Sequence, residues 1–503
     1  MARRPLPEYV DTVIVGGGPA SLILSYILHG HIPYYVGKHY DDLLHSRLSK
    51  KPDLLNICPE TYAHFSSSLR YSTQALPLNT LLDTLIRPNA DTETNPESCI
   101  QWKHEPDRAI SHVVLTAGKG PGGQWVDNPV EASEDIGSLS YSEMLSLPGY
   151  SYAEHFFKTH HKPLPDFERP SRSDVAAYFT AYPHAVGLTD AIFTSVNVGH
   201  ISRTKGGFVI SSHGIRCKHL VLATGIFSLN IAPYAELTPL VPLRNEQEPI
   251  LVVGSGFSAA DVIISAPERR KIIHLFKWAP ETRPSPLRGC HPQAYPEYAG
   301  VYRQMKLAAI SSERSSLTSP PAQKRKVSPV FSQRDWASTY EGLPNAQVIQ
   351  VLQKGQDSAV VQIQLQSGRA VERKIGQLAY VVGRRGSLDY LSQPLRREVI
   401  SPSCEAVTSD GLISGRTLRA KVEHSFQVAP CVFVVGSLAG DSLVRHAFGG
   451  CVSVAGCIMG GECRGPASRN DEQAKFNASS SPIAANAVSH EDLHIDRRET
   501  LQI

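Results

Sequence analysis

"TVIVGGGPASLILSYIL", residues 12–28, is the stretch that decides the fold. Val10 to Val15 is rich in β-branched residues, as a strand buried on both faces is. Gly16, Gly17 and Gly18 then make a tight turn. Pro19 suits the first helical position, where a missing N–H costs nothing. Leu22, Ile23, Tyr26 and Ile27 fall on one helical face, and Gly30 and Pro33 are expected to end the helix. Strand, glycine turn and helix in this order form a cradle for a pyrophosphate. Gly18 lets the phosphate approach the backbone, and the helix N-terminus supplies free N–H groups and a positive dipole end. Two positions depart from the usual pattern. Ser21 stands where a third glycine would allow close helix–strand packing, although serine is small enough to fit. The next strand, "IPYYV", carries no terminal acid for a ribose hydroxyl, and Asp41 and Asp42 come too late to be assigned.

A second cradle lies far downstream in "EPILVVGSGFSAADVIISAPERRKIIHLFKW", residues 248–278. Gly254, Gly256 and Ala259 occupy its three fingerprint positions, and the helix stops at Pro267. The following strand, "KIIHLF", ends at Lys277 and not at an acid. A carboxylate there binds the 2′-hydroxyl of NAD and repels a 2′-phosphate. A basic residue suits NADP, which makes Lys277 the first candidate, with Arg269 or Arg270 behind it. One such fingerprint is weak evidence. Two in one chain allow a hydride to pass from a nicotinamide to a flavin. "LVLATG" (220–225) and "LAYVVGRRG" (378–386) are apolar strands ending in small residues, placed to run beneath the two cofactors. Near the end, "CVFVVGSLAGDSLVRHAFGG" leads a strand into a turn at Gly440–Asp441, where the carboxylate can cap a helix or accept ribityl hydroxyls. Gly449, Gly450 and Gly456 point to close helix packing or close approach to a ligand.

The expected fold class is therefore α/β, with two Rossmann-like dinucleotide-binding domains, one inserted in the other. Residues 1–243 and 386–465 form the first domain, 244–385 the inserted one, and 466–503 a disordered tail. Residues 311–329, rich in Ser, Pro and Lys, read as a flexible insert whose "KRK" is a solvated loop triplet or, alternatively, a nuclear-import signal. A net charge of +3 gives no electrostatic case for nucleic acid or an anionic membrane, and no apolar run is long enough for a membrane anchor. The nine scattered cysteines form no CxxC pair. They suit reduced thiols in the cytoplasm and argue against a disulfide reductase. The 20 histidines show no metal-binding spacing, so no metal site is expected.

Taken together, "VIVGGGPASLILSYIL", "WKHEPDRAISHVVL", "GPGGQW", "LSYSEMLSLPGYSY", "GSGFSAADVI", "YPEYAGVYRQM" and "GSLAGDSLVRHAFGG" resemble the flavin-containing monooxygenase class. More closely they resemble the oxidative stress-induced growth inhibitor family. The resemblance implies FAD in the first cradle, NADPH in the second, and a monooxygenase that passes one atom of O2 to a small molecule through a C4a-hydroperoxyflavin. It also implies a role in growth or cell-death control. Gly123, Gln124 and Trp125 match the class's Gly-Gly-x-Trp segment beside the flavin ring, where an aromatic side chain helps exclude water. "YPEY" (295–298) is a candidate cavity lining or a piece of core. Such chemistry needs no nucleophilic side chain, so no catalytic residue is assigned. A regulatory flavoprotein with little turnover is the alternative.

Overall fold

The computed structural model describes residues 4–37, 39–57, 61, 66, 75–88, 97–316, 334–400, 411–422 and 425–461. The expected tail (466–503) and the insert from 317 onward, with its "KRK", lie outside them. Residues 311–316, expected to open that insert, are instead the last turns of a 21-residue helix.

The chain divides into two units. Among the described residues, one takes those up to Pro129, Gly137–Leu229, and residues 385–461; the other takes Val130–Ile136 and Asn230–Arg384. The second unit thus starts before the expected residue 244. Leu237, Leu240 and Leu243 explain this, because they are buried in the core of the second unit. Val130–Ile136 joins it through Ser133 N–H to Ser265 Oγ and Gln377 Nε2 to Glu131.

In chain order, β1 (Tyr9–Val15) runs into α1 (Pro19–Leu28). Then come β2 (His31–Tyr35), α2 (Asp42–Lys50), α3 (Pro77–Ile86) and β3 (Ile100–His104), before β4 (His112–Leu115). α4 (Arg172–Ala185), β5 (Ile192–Phe193), β6 (Ile201–Thr204), β7 (Gly207–Ile210) and β8 (Ile215–Leu222) complete the first pass. The second unit contributes β9 (Ile250–Val253), α5 (Phe257–Ser265), β10 (Ile272–Phe276), α6 (Pro296–Ser316) and β11 (Tyr340–Pro344). It ends with β12 (Gln347–Lys354), β13 (Ala359–Gln364), β14 (Ala370–Ile375) and β15 (Gln377–Tyr380). The chain returns to the first unit with β16 (Gln427–Ala429), β17 (Val432–Val434) and α7 (Phe448–Met459).

The main sheet of the first unit has the order β16-β17-β8-β1-β4-β5, with the β6–β7 hairpin attached to β8. β17, β8, β1, β4 and β5 are mutually parallel. α1 packs against this sheet with nine of its ten residues buried, from Ala20 to Leu28, as the apolar sequence demands. Pro33 does not end α1, which stops at Leu28. It sits inside β2, which pairs with β3 in a two-stranded antiparallel sheet, where proline is tolerated at an edge. The strand beside β1 is consequently β4, in register Val15↔Leu115.

The second unit has the parallel order β11-β10-β9-β15 and a separate antiparallel sheet, β12-β13-β14. Both parallel sheets are the Rossmann-like arrangement expected from the sequence. Among the described residues, no helix is long and apolar enough to cross a membrane.

Candidate cofactor sites

In the first unit the turn between β1 and α1 is shaped by backbone contact. Gly16 has φ +116°, and a Cβ there would overlap the carbonyl oxygen of Ala223, just past β8. The small residues of "LATG" are what permit this approach. Gly18 is different. Its φ of −77° suits any residue, and a Cβ added to it would meet nothing within 4 Å. It caps α1 without a side-chain hydrogen bond. Pro19 has no N–H and Ser21 N–H bonds Gly18 O at 2.9 Å, so the Ala20 amide is the first-turn donor left to a ligand. Pro19 occupies the start of α1 as expected. Ser21 is fully buried, and its Oγ has no hydrogen-bond partner among the described residues.

The Gly-Gly-x-Trp segment comes to this same turn. Gly122 N–H donates to Gly17 O at 2.8 Å, and a Cβ at Gly123 would lie 3.0 Å from Gly18 Cα. Trp125 stands edge-on to Phe179 of α4, with ring centroids 6.1 Å apart, and Gln124 is half-buried beside it. The spacing of motifs in sequence could not show this contact; the backbone geometry of the two turns does.

The structure also brings in residues beyond the individual candidates named from sequence. Gly436 and Ser437 follow β17 at the same sheet edge. A Cβ at Gly436 would lie 2.9 Å from Ala20 Cβ of α1, and Ser437 Oγ accepts the Ile226 N–H at 3.2 Å. The readable signal is their place directly after an apolar strand. Thr116 follows β4. Its Oγ1 accepts from Gly118 N–H at 3.3 Å and lies against Gly17.

Gly440 and Asp441 follow the turn at Gly436 and Ser437, with Gly440 N–H bonded to Ser437 O at 3.1 Å. The buried Asp441 carboxylate accepts Leu76 N–H at 2.8 Å, Asn79 Nδ2 at 2.7 Å and Arg419 Nη1 at 2.8 Å. It caps α3 (Leu76 is that helix's N-cap), not the helix that follows it in sequence. With three donors in place, this carboxylate holds α3 to the β17–α7 connection. Gly449 and Gly456 serve packing too, since side chains there would overlap the carbonyls of Leu78 and Leu55. Asp41 caps α2 through the amides of Leu43 and Leu44.

The second unit repeats the device. A Cβ at Gly254 would meet the Val381 carbonyl, just past β15, at 2.5 Å. Ala259, the third fingerprint position, is buried with its Cβ 3.3 Å from the same point, so only a small side chain fits. At Gly256, N-cap of α5, an added Cβ would meet only Pro286 Cγ, at 3.8 Å. Fully buried His274 on β10 holds the turn from behind. Its Nε2 lies 2.7 Å from Gly254 O and its Nδ1 2.8 Å from Tyr340 OH. A carbonyl only accepts, so Nε2 carries the proton and Nδ1 accepts from the tyrosine. Burial pushes this imidazole's pKa down to about 4.

Lys277 lies at the carboxyl end of β10. Its N–H donates to Ser255 Oγ at 2.9 Å, and its side chain is exposed. Arg270 is at the opposite end of the strand, bound to Glu248 O, Asn245 O and Gln377 Oε1. Neither it nor neighbouring Arg269 stands at the strand end where a cofactor ribose would sit. In "YPEY", Tyr298 is core: it is buried, bonds Asp261 at 2.8 Å and stacks edge-on to Phe257.

These features define a protein built on two Rossmann-like α/β units. No family model matches the chain. Its relatives are nonetheless specific. It is 26% identical to oxidative stress-induced growth inhibitor 1 of Mus musculus, over 92% of this chain and 97% of that protein. The resemblance drawn from sequence is borne out. Among solved structures, the bacillithiol disulfide reductase Bdr of Bacillus cereus shares the fold, with a TM-score of 0.50 and 12% identity over 90% of this chain and all of that one. A flavin-containing monooxygenase of Stenotrophomonas maltophilia aligns at TM-score 0.45 and 13% identity, over 90% and 98% of the two chains.

Proposed function

We propose that the protein is an NADPH-dependent flavoprotein monooxygenase acting on an unidentified small molecule, with FAD in the first cradle and NADPH in the second. The observation that supports this best is the repeated device. In each unit the first glycine is locked on a neighbouring strand's carbonyl, while the second leaves the helix N-terminus open to a phosphate. When bound, the flavin reduced by NADPH supplies the electrons that divide O2 between substrate and water.

The chain's own residues bind and orient. The Gly18 and Ala20 amides receive one pyrophosphate and the first-turn amides after Gly256 the other. Lys277 receives the 2′-phosphate. Trp125, fixed on Phe179 by the Gly122–Gly123 contact with the first cradle, contributes apolar surface that keeps water away.

The test is purification followed by an absorbance spectrum, titration with NADPH and NADH, and oxygen consumption. A yellow protein that consumes O2 with NADPH supports the reading. A yellow protein that never oxidises NADPH overturns it in favour of a regulatory flavoprotein, and a colourless protein that cannot be loaded with FAD overturns both.

A further inference from the structure

A dinucleotide in a parallel cradle needs a group to hold its adenosine ribose, at the carboxyl end of the strand beside the first. In the first unit that strand is β4, and the chain leaving it reads Thr116-Ala117-Gly118-Lys119, with no acid. A carboxylate nevertheless arrives there from another segment. A Cβ added at Gly118 would overlap Asp127 Oδ2, so this oxygen rests directly on the Gly118 backbone. Asp127 lies two residues beyond Trp125, and its own N–H donates to Gly123 O at 2.9 Å. Gly123 in turn sits on Gly18, and Gly122 is bonded to Gly17. The loop that docks on the cradle therefore also brings the carboxylate beside the end of β4. Asp127 is exposed, and its carboxylate makes no hydrogen bond or ion pair with the described residues, so both oxygens are free to accept.

The geometry points to Asp127 as the carboxylate that accepts the adenosine ribose hydroxyls of a dinucleotide in the first cradle, with the Thr116 hydroxyl beside it. This rests on the reading of that cradle as an FAD site. It also gives the cradle a specificity, since a carboxylate in this place repels a 2′-phosphate and selects a cofactor without one. Gly118 takes part by being bare: a side chain would displace the carboxylate.

The test is fluorescence titration of apo-protein with FAD and with FMN, which lacks the adenosine ribose, in wild type, Asp127→Ala, Asp127→Asn and Gly118→Ala. Losing a charge-assisted hydrogen bond weakens FAD binding by about tenfold or more. Asp127→Ala and Gly118→Ala should both show this loss, with FMN affinity and apo-protein melting unchanged; Asp127→Asn, which keeps one acceptor oxygen, should fall between. Equal FAD affinity in wild type and Asp127→Ala overturns the inference and leaves the cradle reading standing. Parallel loss of FMN affinity and melting temperature overturns it in favour of a purely structural role for the loop. Wild type that binds no FAD removes the cradle reading, and the inference with it.

Discussion

Gly18→Ala separates folding from cofactor binding at one atom. The backbone there is extended, with φ −77° and ψ 177°, and an added Cβ touches no protein atom within 4 Å. Two small effects on stability oppose each other. Alanine is a poorer N-cap than glycine by up to about 1 kcal/mol, while the stiffer unfolded chain returns about 0.4–1 kcal/mol. The apo-protein should therefore melt within a few degrees of wild type. Binding is another matter, because the methyl group occupies the space through which the phosphate reaches the amides of α1. Losing one or two hydrogen bonds to a charged group costs about 1.5–3 kcal/mol, which is roughly a 10- to 100-fold rise in the Kd for FAD. Gly16→Ala is the contrast. Its Cβ meets the Ala223 carbonyl and its φ is +116°, so the apo-protein itself should be badly destabilised. Differential scanning fluorimetry of apo-protein and flavin-fluorescence titration read the two effects separately. Undiminished FAD affinity in Gly18→Ala would refute the assignment of this turn as the pyrophosphate cradle.

Ser21→Ala removes a buried hydroxyl that has no partner, so it should raise the stability of the first unit by about 1 kcal/mol and leave FAD affinity unchanged; a lower melting temperature would show that the hydroxyl is satisfied in solution. Lys277→Glu should reverse the preference for NADPH over NADH, read as the ratio of the two affinities, and an unchanged ratio would place the 2′-phosphate elsewhere. His112 and His274, one in each unit, are both pushed down to about 4 by burial from the ordinary 6.5. The unfolded chain therefore binds more protons than the folded one between these values. Stability is full above pH 6.5 and falls with pH toward 4, by about 3 kcal/mol at each site. In chemical denaturation across this range, His274→Gln should lose its share of the acid slope, and a slope identical to wild type would exclude His274 as a source.

Local pattern made much of the fold legible. Runs of β-branched residues, glycine turns and proline at the start of α1 located β1, β9 and their helices, because each signal lies within a few residues of its consequence. Strand order was not legible in this way. Chain order suggests "IPYYV" as the second strand of the first sheet. β2 pairs instead with β3, and residues 29–111 intervene before β4 takes the place beside β1. Asp441 escaped for a related reason. Its neighbours in sequence suggest a cap for the following helix, while its donors come from Leu76 and Asn79, more than 360 positions away.

The same insertion accounts for the missing ribose acid. The fingerprint expects an acid at the end of β2, which is not a sheet neighbour of β1, and none is present at the end of β4 either. Parallel strands fix only where the ribose must lie, not which segment supplies its partner. Once Gly122 and Gly123 are docked on Gly17 and Gly18, the residues after Trp125 are delivered to the end of β4, and Asp127 is among them. Serine at the third fingerprint position and threonine at the ribose position are then not two signs of a decayed cradle. Ser21 still packs with no solvent exposure, and the turn it belongs to keeps both its lock on Ala223 and its open helix end. On the proposed reading, the physical requirements of a dinucleotide site are met in this unit by a different set of residues from the one the fingerprint names.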